Sequence, residues 1–370
     1  MELGFWGLGF LREDGMSDTM LAAILYGKED VRLEQIPIPR ADTGEVVVRI
    51  ENALTCGTDL KVYQRGYHAR MIQPPSVFGH EFAGVVAEVG GRVEGWKIGD
   101  RVVAANSAPC GACYYCQREQ ENLCDDLVWL NGAYAQFIKV PPRIVEKNLL
   151  KIPTSLSFKA AALVEPLACA VRGARDVHLG KDELGGMKDE VIIVGAGPLG
   201  LLFLCIAKHA GARMIVVGKG AVRMEAAKRL GADAVIDSSN ADWIKAAKSF
   251  TDAQKGADIV IEAVGKPETW EAAISLARKG GRVNLFGGCP AGMTARFDTT
   301  TLHYGDLTLR SSFHHTPGDV RRALALLEQG VVRAEDFVSD EKPLSELPKL
   351  LATMVREKSG VKTAILPPRE

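Results

Sequence analysis

The chain has 370 residues, 47% hydrophobic and 25% charged, with a formal net charge of −1. That length predicts two domains rather than one core, and the near-neutral charge excludes the electrostatic footprint of a nucleic-acid or anionic-membrane binder. Eight cysteines, four of them clustered, are few for a secreted disulfide scaffold and fit a metal site in a reducing, cytoplasmic compartment.

Residues 1–19 have no clear periodicity and read as an extension. No basic region precedes Phe5-Trp6, and Arg12-Glu13-Asp14 ends the apolar patch, so no signal peptide is expected. From Leu21 the pattern is β-rich. Val46–Ile50 and Gly84–Val89 read as strands, Gly90-Gly91 turns the chain, and Lys97–Val103 is a turn feeding another strand. Short strands with Gly and Pro punctuation predict a small barrel-like β domain over residues 20–165. Three stretches in it carry chemistry. Thr55-Cys56-Gly57-Thr58-Asp59 offers a thiol, Gly79-His80-Glu81 an imidazole and a carboxylate, and Val164-Glu165-Pro166 a second carboxylate. These are the ligand types of zinc, and a catalytic zinc keeps three protein ligands and one open position. A lone His-Glu pair is more often structural, so the weight rests on the combination.

Cys110, Cys113, Cys116 and Cys124 follow as C-x₂-C-x₂-C-x₇-C. Four thiolates close a tetrahedral zinc with no open position, which makes the site structural. Disulfides are disfavoured, because cysteines three apart in a tight loop rarely meet disulfide geometry. Cys169 and Cys205 lie in apolar helical runs and read as core. Cys289 has no assignment.

After Glu165-Pro166 the period changes, and residues 166–310 alternate strand and helix. Val191 to Ala207 is uncharged, but Gly195, Gly197, Pro198 and Gly200 interrupt it, so it reads as a buried strand and helix rather than a membrane span. Val191–Val194 runs into Gly195-Ala196-Gly197-Pro198-Leu199-Gly200, and an apolar helix, Leu201–His209, follows. That is G-x-G-x-x-G between a strand and a helix, the dinucleotide fingerprint in its required context. The helix N-terminus carries partial positive charge toward the phosphates. Further strands are expected at Met214–Val217, Ala234–Asp237, Asp258–Glu262 and Arg282–Phe286, with a helix at Val222–Leu230, giving a doubly wound parallel sheet. In residues 311–370 two amphipathic helices, Asp319–Gln329 and Leu344–Val355, are expected to pack back onto the first domain.

Together these motifs resemble the zinc-dependent medium-chain alcohol dehydrogenase family from about Leu21 to Leu366. The resemblance implies an α/β protein with a GroES-like β-rich catalytic domain and a Rossmann nucleotide-binding domain. Glu165-Pro166 stands where other alcohol dehydrogenases place a third zinc-bound cysteine, and so is more similar to the polyol and threonine dehydrogenase branch. There Cys56, His80 and one or both of Glu81 and Glu165 would hold the catalytic zinc. Gly195, Gly197, Pro198, Leu199, Gly200, Val264 and Gly265 would bind the dinucleotide. The Thr58 hydroxyl would hydrogen-bond the substrate oxygen and pass its proton outward. Lys61 occupies the position of a relay histidine found in many relatives, so His68 or a water chain would take that part. His178, His209, His303, His314 and His315 read as structural or surface residues. Trp129, Leu130 and Phe313 are placed as pocket walls from position.

The implied activity is hydride transfer between an alcohol, polyol, sugar or amino alcohol and NAD(P), with two zincs per subunit. Gly218 falls where NAD enzymes carry an acidic residue for the ribose 2′-OH. With Lys219 and Arg223 close in sequence, NADP is expected over NAD. A homodimer or homotetramer is implied. Two other readings stay open: a catalytically silent nucleotide-binding redox sensor, and a zinc-free quinone-reductase-like enzyme.

Overall fold

The computed structural model describes residues 18–68, 70–180, 189–357 and 360–369. Most of the expected N-terminal extension therefore lies outside the described residues. The first strand, Thr19–Gly27, pairs antiparallel with Asp30–Pro37. A seven-stranded sheet forms the body of the first domain, in the order Leu149–Lys151, Arg101–Ala104, Phe82–Val89, Val46–Leu54, Lys362–Leu366, Val338–Pro343, with Phe137–Val140 also pairing on Val46–Leu54. Its apolar faces alternate as β pattern requires. Val46, Val48 and Ile50 enter one core with Phe78, Phe82, Val102 and Tyr134. The final strand of the chain thus completes the first domain's sheet, antiparallel to Val46–Leu54.

The second domain is a six-stranded parallel sheet, in the order Ala234–Asp237, Arg213–Gly218, Glu190–Val194, Ala257–Glu262, Ala277–Leu285, Thr308–Arg310. In chain order this is 3-2-1-4-5-6, the doubly wound arrangement with a crevice where the order reverses. Fully buried Val191, Ile192 and Ile193 explain the uncharged run. Among the described residues no helix is long and apolar enough to cross a membrane.

The helix Val164–Asp176 joins the two domains, and the expected division after residue 165 falls inside it. Leu163 and Leu167 pack with Leu54, Ala83 and Val103 of the first sheet and with Val191, Leu201 and Phe203 of the second, so one core spans the junction. The two late helices separate in role. Leu347–Glu357 packs on the first domain through Leu347 and Leu351, as the sequence predicts. Pro317–Glu328 instead packs on the joining helix, in the core shared by both domains. Its stripe of Val320, Ala323, Leu324 and Leu327 matches that apolar helix face.

Candidate active site

Cys56 is the N-cap of the helix Gly57–Arg65, with extended backbone and its Sγ accepting from the Thr58 N–H at 3.4 Å. The Asp59 carboxylate accepts the Cys56 N–H at 2.8 Å, so the two residues form a capping box. Asp59 is 1% exposed, and it also takes the Tyr134 hydroxyl at 2.6 Å and His80 Nδ1 at 3.1 Å. A carboxylate at Nδ1 holds the proton there and leaves Nε2 with its lone pair free for a metal. Burial works to lower the His80 pKa, but Asp59 outweighs it and holds it well above the usual histidine range, so a metal arriving at Nε2 displaces a proton there. Gly79 precedes His80 at φ +89°, and a Cβ there would strike the Tyr134 ring at 2.7 Å. The turn that presents His80 therefore needs glycine on both counts. Thr58 is half-buried in the first turn of the same helix; Lys61 is exposed. His68 is half-buried, and its Nδ1 accepts the Arg70 and Met71 N–H groups at 3.2 and 3.0 Å, which puts the proton on Nε2.

Donor atoms of Cys56, His80 and Glu81 all lie within 4.8 Å of one another. Both Glu81 oxygens, however, accept from Lys362 Nζ, at 2.8 and 2.5 Å, and Lys362 also donates to the Thr55 carbonyl at 3.0 Å. Both partners of this pair are buried, 1% and 0% exposed at their side chains. Glu165 belongs to a neighbouring group with Cys169 and His314, whose donor atoms also lie within 4.8 Å. Burial pushes the Glu165 pKa up to about 7. The sequence reading treats Cys169 as core and His314 and His315 as structural or surface residues; the structure places all three beside Glu165. Cys169 is half-buried with Sγ 3.9 Å from Glu165. His315 is buried, its Nε2 4.0 Å from Glu165 and 3.1 Å from Asn106 Oδ1. An amide oxygen only accepts, so His315 donates from Nε2. Burial pushes its pKa down to about 3 and keeps it neutral. Trp129 lies against the His314 ring, centroids 4.7 Å apart, while Phe313 is exposed and Leu130 belongs to the first-domain core. His178, His209 and His303 are exposed, as the sequence suggests.

Asp59, Tyr134 and Lys362 escaped the sequence reading. For Asp59 a signal existed, in the three-residue capping-box spacing from Cys56. Lys362 reaches the site from 281 residues away, and no local pattern marks it.

Cys110, Cys113, Cys116 and Cys124 form a four-thiol group, with Sγ–Sγ separations of 3.5 Å for Cys113–Cys116 and 3.8 Å for Cys113–Cys124. Backbone N–H groups of Ala112 and Cys113 point at Cys110 Sγ, at 3.4 and 3.3 Å, and Cys110 N–H at Cys124 Sγ, at 3.2 Å. Backbone N–H bonds lower the Cys113 thiol to about 6. Four soft donors with N–H groups directed at sulfur suit a tetrahedral zinc.

In the second domain Gly195 sits at φ +119° and a Cβ on Gly200 would fall on its carbonyl, so strand and helix approach closely only without side chains. A Cβ at Gly197 would meet nothing within 4 Å, leaving open space at the N-terminus of the helix Pro198–His209 where a pyrophosphate fits. Leu199 is half-buried. Val264 and Gly265 follow the fourth strand at the crevice, and their N–H groups are turned onto the buried Glu262 carboxylate, at 2.8 and 2.9 Å. Gly218 is buried, Lys219 exposed, and Arg223 Nε donates to the Gly360 carbonyl at 3.1 Å.

Comparison with known proteins agrees with this architecture. Residues 42–154 match the alcohol dehydrogenase GroES-like domain and residues 198–329 the zinc-binding dehydrogenase domain. The chain is 33% identical over 344 residues to the D-arabitol-phosphate dehydrogenase of Enterococcus avium, covering 90% of this chain and 93% of that one. It is 36% identical over 293 residues to the L-threonine 3-dehydrogenase of Pyrococcus horikoshii, covering 76% and 80%. The solved alcohol dehydrogenase TADH from Thermus sp. ATN1 superposes with a TM-score of 0.84 at 30% identity, over 94% of this chain and 100% of that one. The chain therefore belongs to the zinc-dependent medium-chain alcohol and polyol dehydrogenase family.

Proposed function

We infer that this protein transfers a hydride between a secondary alcohol or polyol and a nicotinamide dinucleotide at a zinc held by Cys56, His80 and Glu165. The observation that carries this reading is the Asp59–His80–Cys56 arrangement, in which one buried carboxylate orients the imidazole and caps the helix bearing the thiol. Glu81, with both oxygens on Lys362, acts beside the metal rather than as its resident third ligand. Zinc supplies a Lewis acid there. Around it the Thr58 hydroxyl takes and passes the substrate proton, and His68, as the Nε2–H tautomer, offers a hydrogen bond near the mouth of the site. The glycine turn after Val194 seats the pyrophosphate.

A second zinc on Cys110, Cys113, Cys116 and Cys124, an NADP preference, a homodimeric or homotetrameric assembly and a cytoplasmic location belong to the same reading. Relatives named for arabitol phosphate and threonine support polyols and amino alcohols as the substrate class. The full set of Cys56, Thr58 and His80 speaks against a silent sensor, and the thiol lobe against a zinc-free quinone reductase.

The test is zinc per subunit together with turnover of a panel of secondary alcohols, polyols and amino alcohols, with NAD and NADP. Two zincs and zinc-dependent oxidation of at least one panel member are expected. Dinucleotide binding without turnover in the fully loaded protein would favour the silent binder.

A further inference from the structure

Three parts of the four-cysteine lobe grip one short segment, Phe313–His315, and that segment lies against Glu165. At the lobe's apex, between Cys116 and Cys124, Asn122 is 4% exposed and its Nδ2 donates to the Phe313 carbonyl at 3.0 Å. On the strand leading in, Ser107 Oγ lies 2.5 Å from His314 Nε2, and Asn106, just before that strand, accepts from His315. On the strand leading out, Trp129 packs on the His314 ring. His314 is at φ +61°, in the left-handed region that non-glycine residues hold only when their surroundings over-determine it. In that conformation one ring nitrogen stands within 4.8 Å of donor atoms of Glu165 and Cys169. From the second domain, Asp176 and Asn284 fix Ser312, at 2.7 and 3.0 Å, so the segment is held from both ends.

We propose that the four-cysteine lobe sets the geometry of the catalytic carboxylate, with Asn122 and Ser107 as positioning residues acting through Phe313–His315. The lobe is then a working part of the catalytic centre as well as a stabilising one. This rests on the reading of Glu165 as a catalytic-site group. The chemistry of Asn122 favours a clean test. Its Oδ1 is buried without a hydrogen-bond partner, so Asn122→Ala removes an uncompensated polar atom along with the Phe313 bond, and folding should suffer little.

The experiment compares Asn122→Ala and Ser107→Ala, on separate parts of the lobe, with wild type. Expected in both are full zinc content, unchanged dinucleotide Kd and a kcat lower by about tenfold to a hundredfold, the scale of loss from a misplacement near 1 Å. With cobalt(II) in place of zinc at the catalytic site, the visible spectrum should shift in the variants. Wild-type kcat and an unaltered cobalt spectrum in both would overturn the proposal, as would a loss of activity that merely tracks loss of lobe metal. If wild type itself turned over no alcohol while binding dinucleotide, the functional reading would fail instead; cobalt spectra would still report whether the lobe shapes the site.

Discussion

As a zinc ligand, Glu165 would link protonation to metal binding through one buried side chain. Burial raises its carboxyl from about 4.5 to about 7 in the metal-free protein. A raised pKa favours the folded state most below the unfolded value and loses that advantage as pH rises through the folded one. Metal-free protein should therefore lose stability between about pH 4.5 and 7, by up to about 3 kcal/mol from this group. Zinc held by Glu165 would reverse the preference, since a carboxylate must be deprotonated to ligate. Below about pH 7 zinc uptake should release a proton from Glu165, and apparent affinity should fall by up to about tenfold per pH unit on its account. Titration calorimetry at pH 6 in buffers of different ionisation enthalpy counts the protons. Glu165→Gln should release about one fewer than wild type; an equal count would remove Glu165 from the ligand set. Lys362 completes the local charge balance. With Glu81 it forms an ion pair that is costly to break on one side only, because the survivor would be a buried lone charge.

The four-cysteine lobe makes a separable prediction. It carries little regular structure, two short 3₁₀ turns at Cys116–Arg118 and Glu121–Leu123, so a zinc bound there would supply much of its folding free energy. Cys113→Ser should release one zinc per subunit and lower Tm, with dinucleotide binding retained because the second domain has its own core. A variant that kept two zincs would show that Cys113 is not a ligand. Elements of this local kind were legible in the sequence. The cysteine spacing, the glycine turn and the strand Ala234–Asp237 each lie within one short window. The helix Gly57–Arg65 was not, because Gly57 and Thr58 are poor helix formers and its start rests on a cysteine in the capping role. His314, His315 and Lys362 were also hidden. They reach the site only through the return of the chain after Arg310, and side chains 150 to 281 residues apart in sequence leave no periodic trace. Chain order likewise concealed that the joining helix Val164–Asp176 belongs to both halves.

That shared helix would bring a dinucleotide on the second sheet to a metal of the first domain, and the far end of the same ligand would decide which dinucleotide enters. At the end of the second strand Gly218 is buried and stands opposite Asp237 of the neighbouring strand. The Gly218 carbonyl accepts Ser238 N–H and Oγ, at 2.9 and 3.2 Å. The Asp237 carboxylate is turned onto Ser239, accepting its N–H at 2.9 Å and its hydroxyl at 2.7 Å, and Lys219 lies close enough to lower its pKa further. No carboxylate thus occupies position 218 to repel a 2′-phosphate, and Lys219 is exposed to meet one. Arg223 contributes less than its sequence position suggests, since its Nε is committed to Gly360. NADP should therefore give the higher kcat/KM on any one substrate. The matching variant is not Gly218→Asp alone, because a Cβ at 218 would overlap the Ala196 side chain and distort the glycine turn. Ala196→Gly with Gly218→Asp makes room, and this double variant should shift preference toward NAD at constant kcat. The ratio of kcat/KM for the two dinucleotides, in wild type and double variant, decides it. A wild type that favours NAD would sink the assignment of this pocket to a 2′-phosphate.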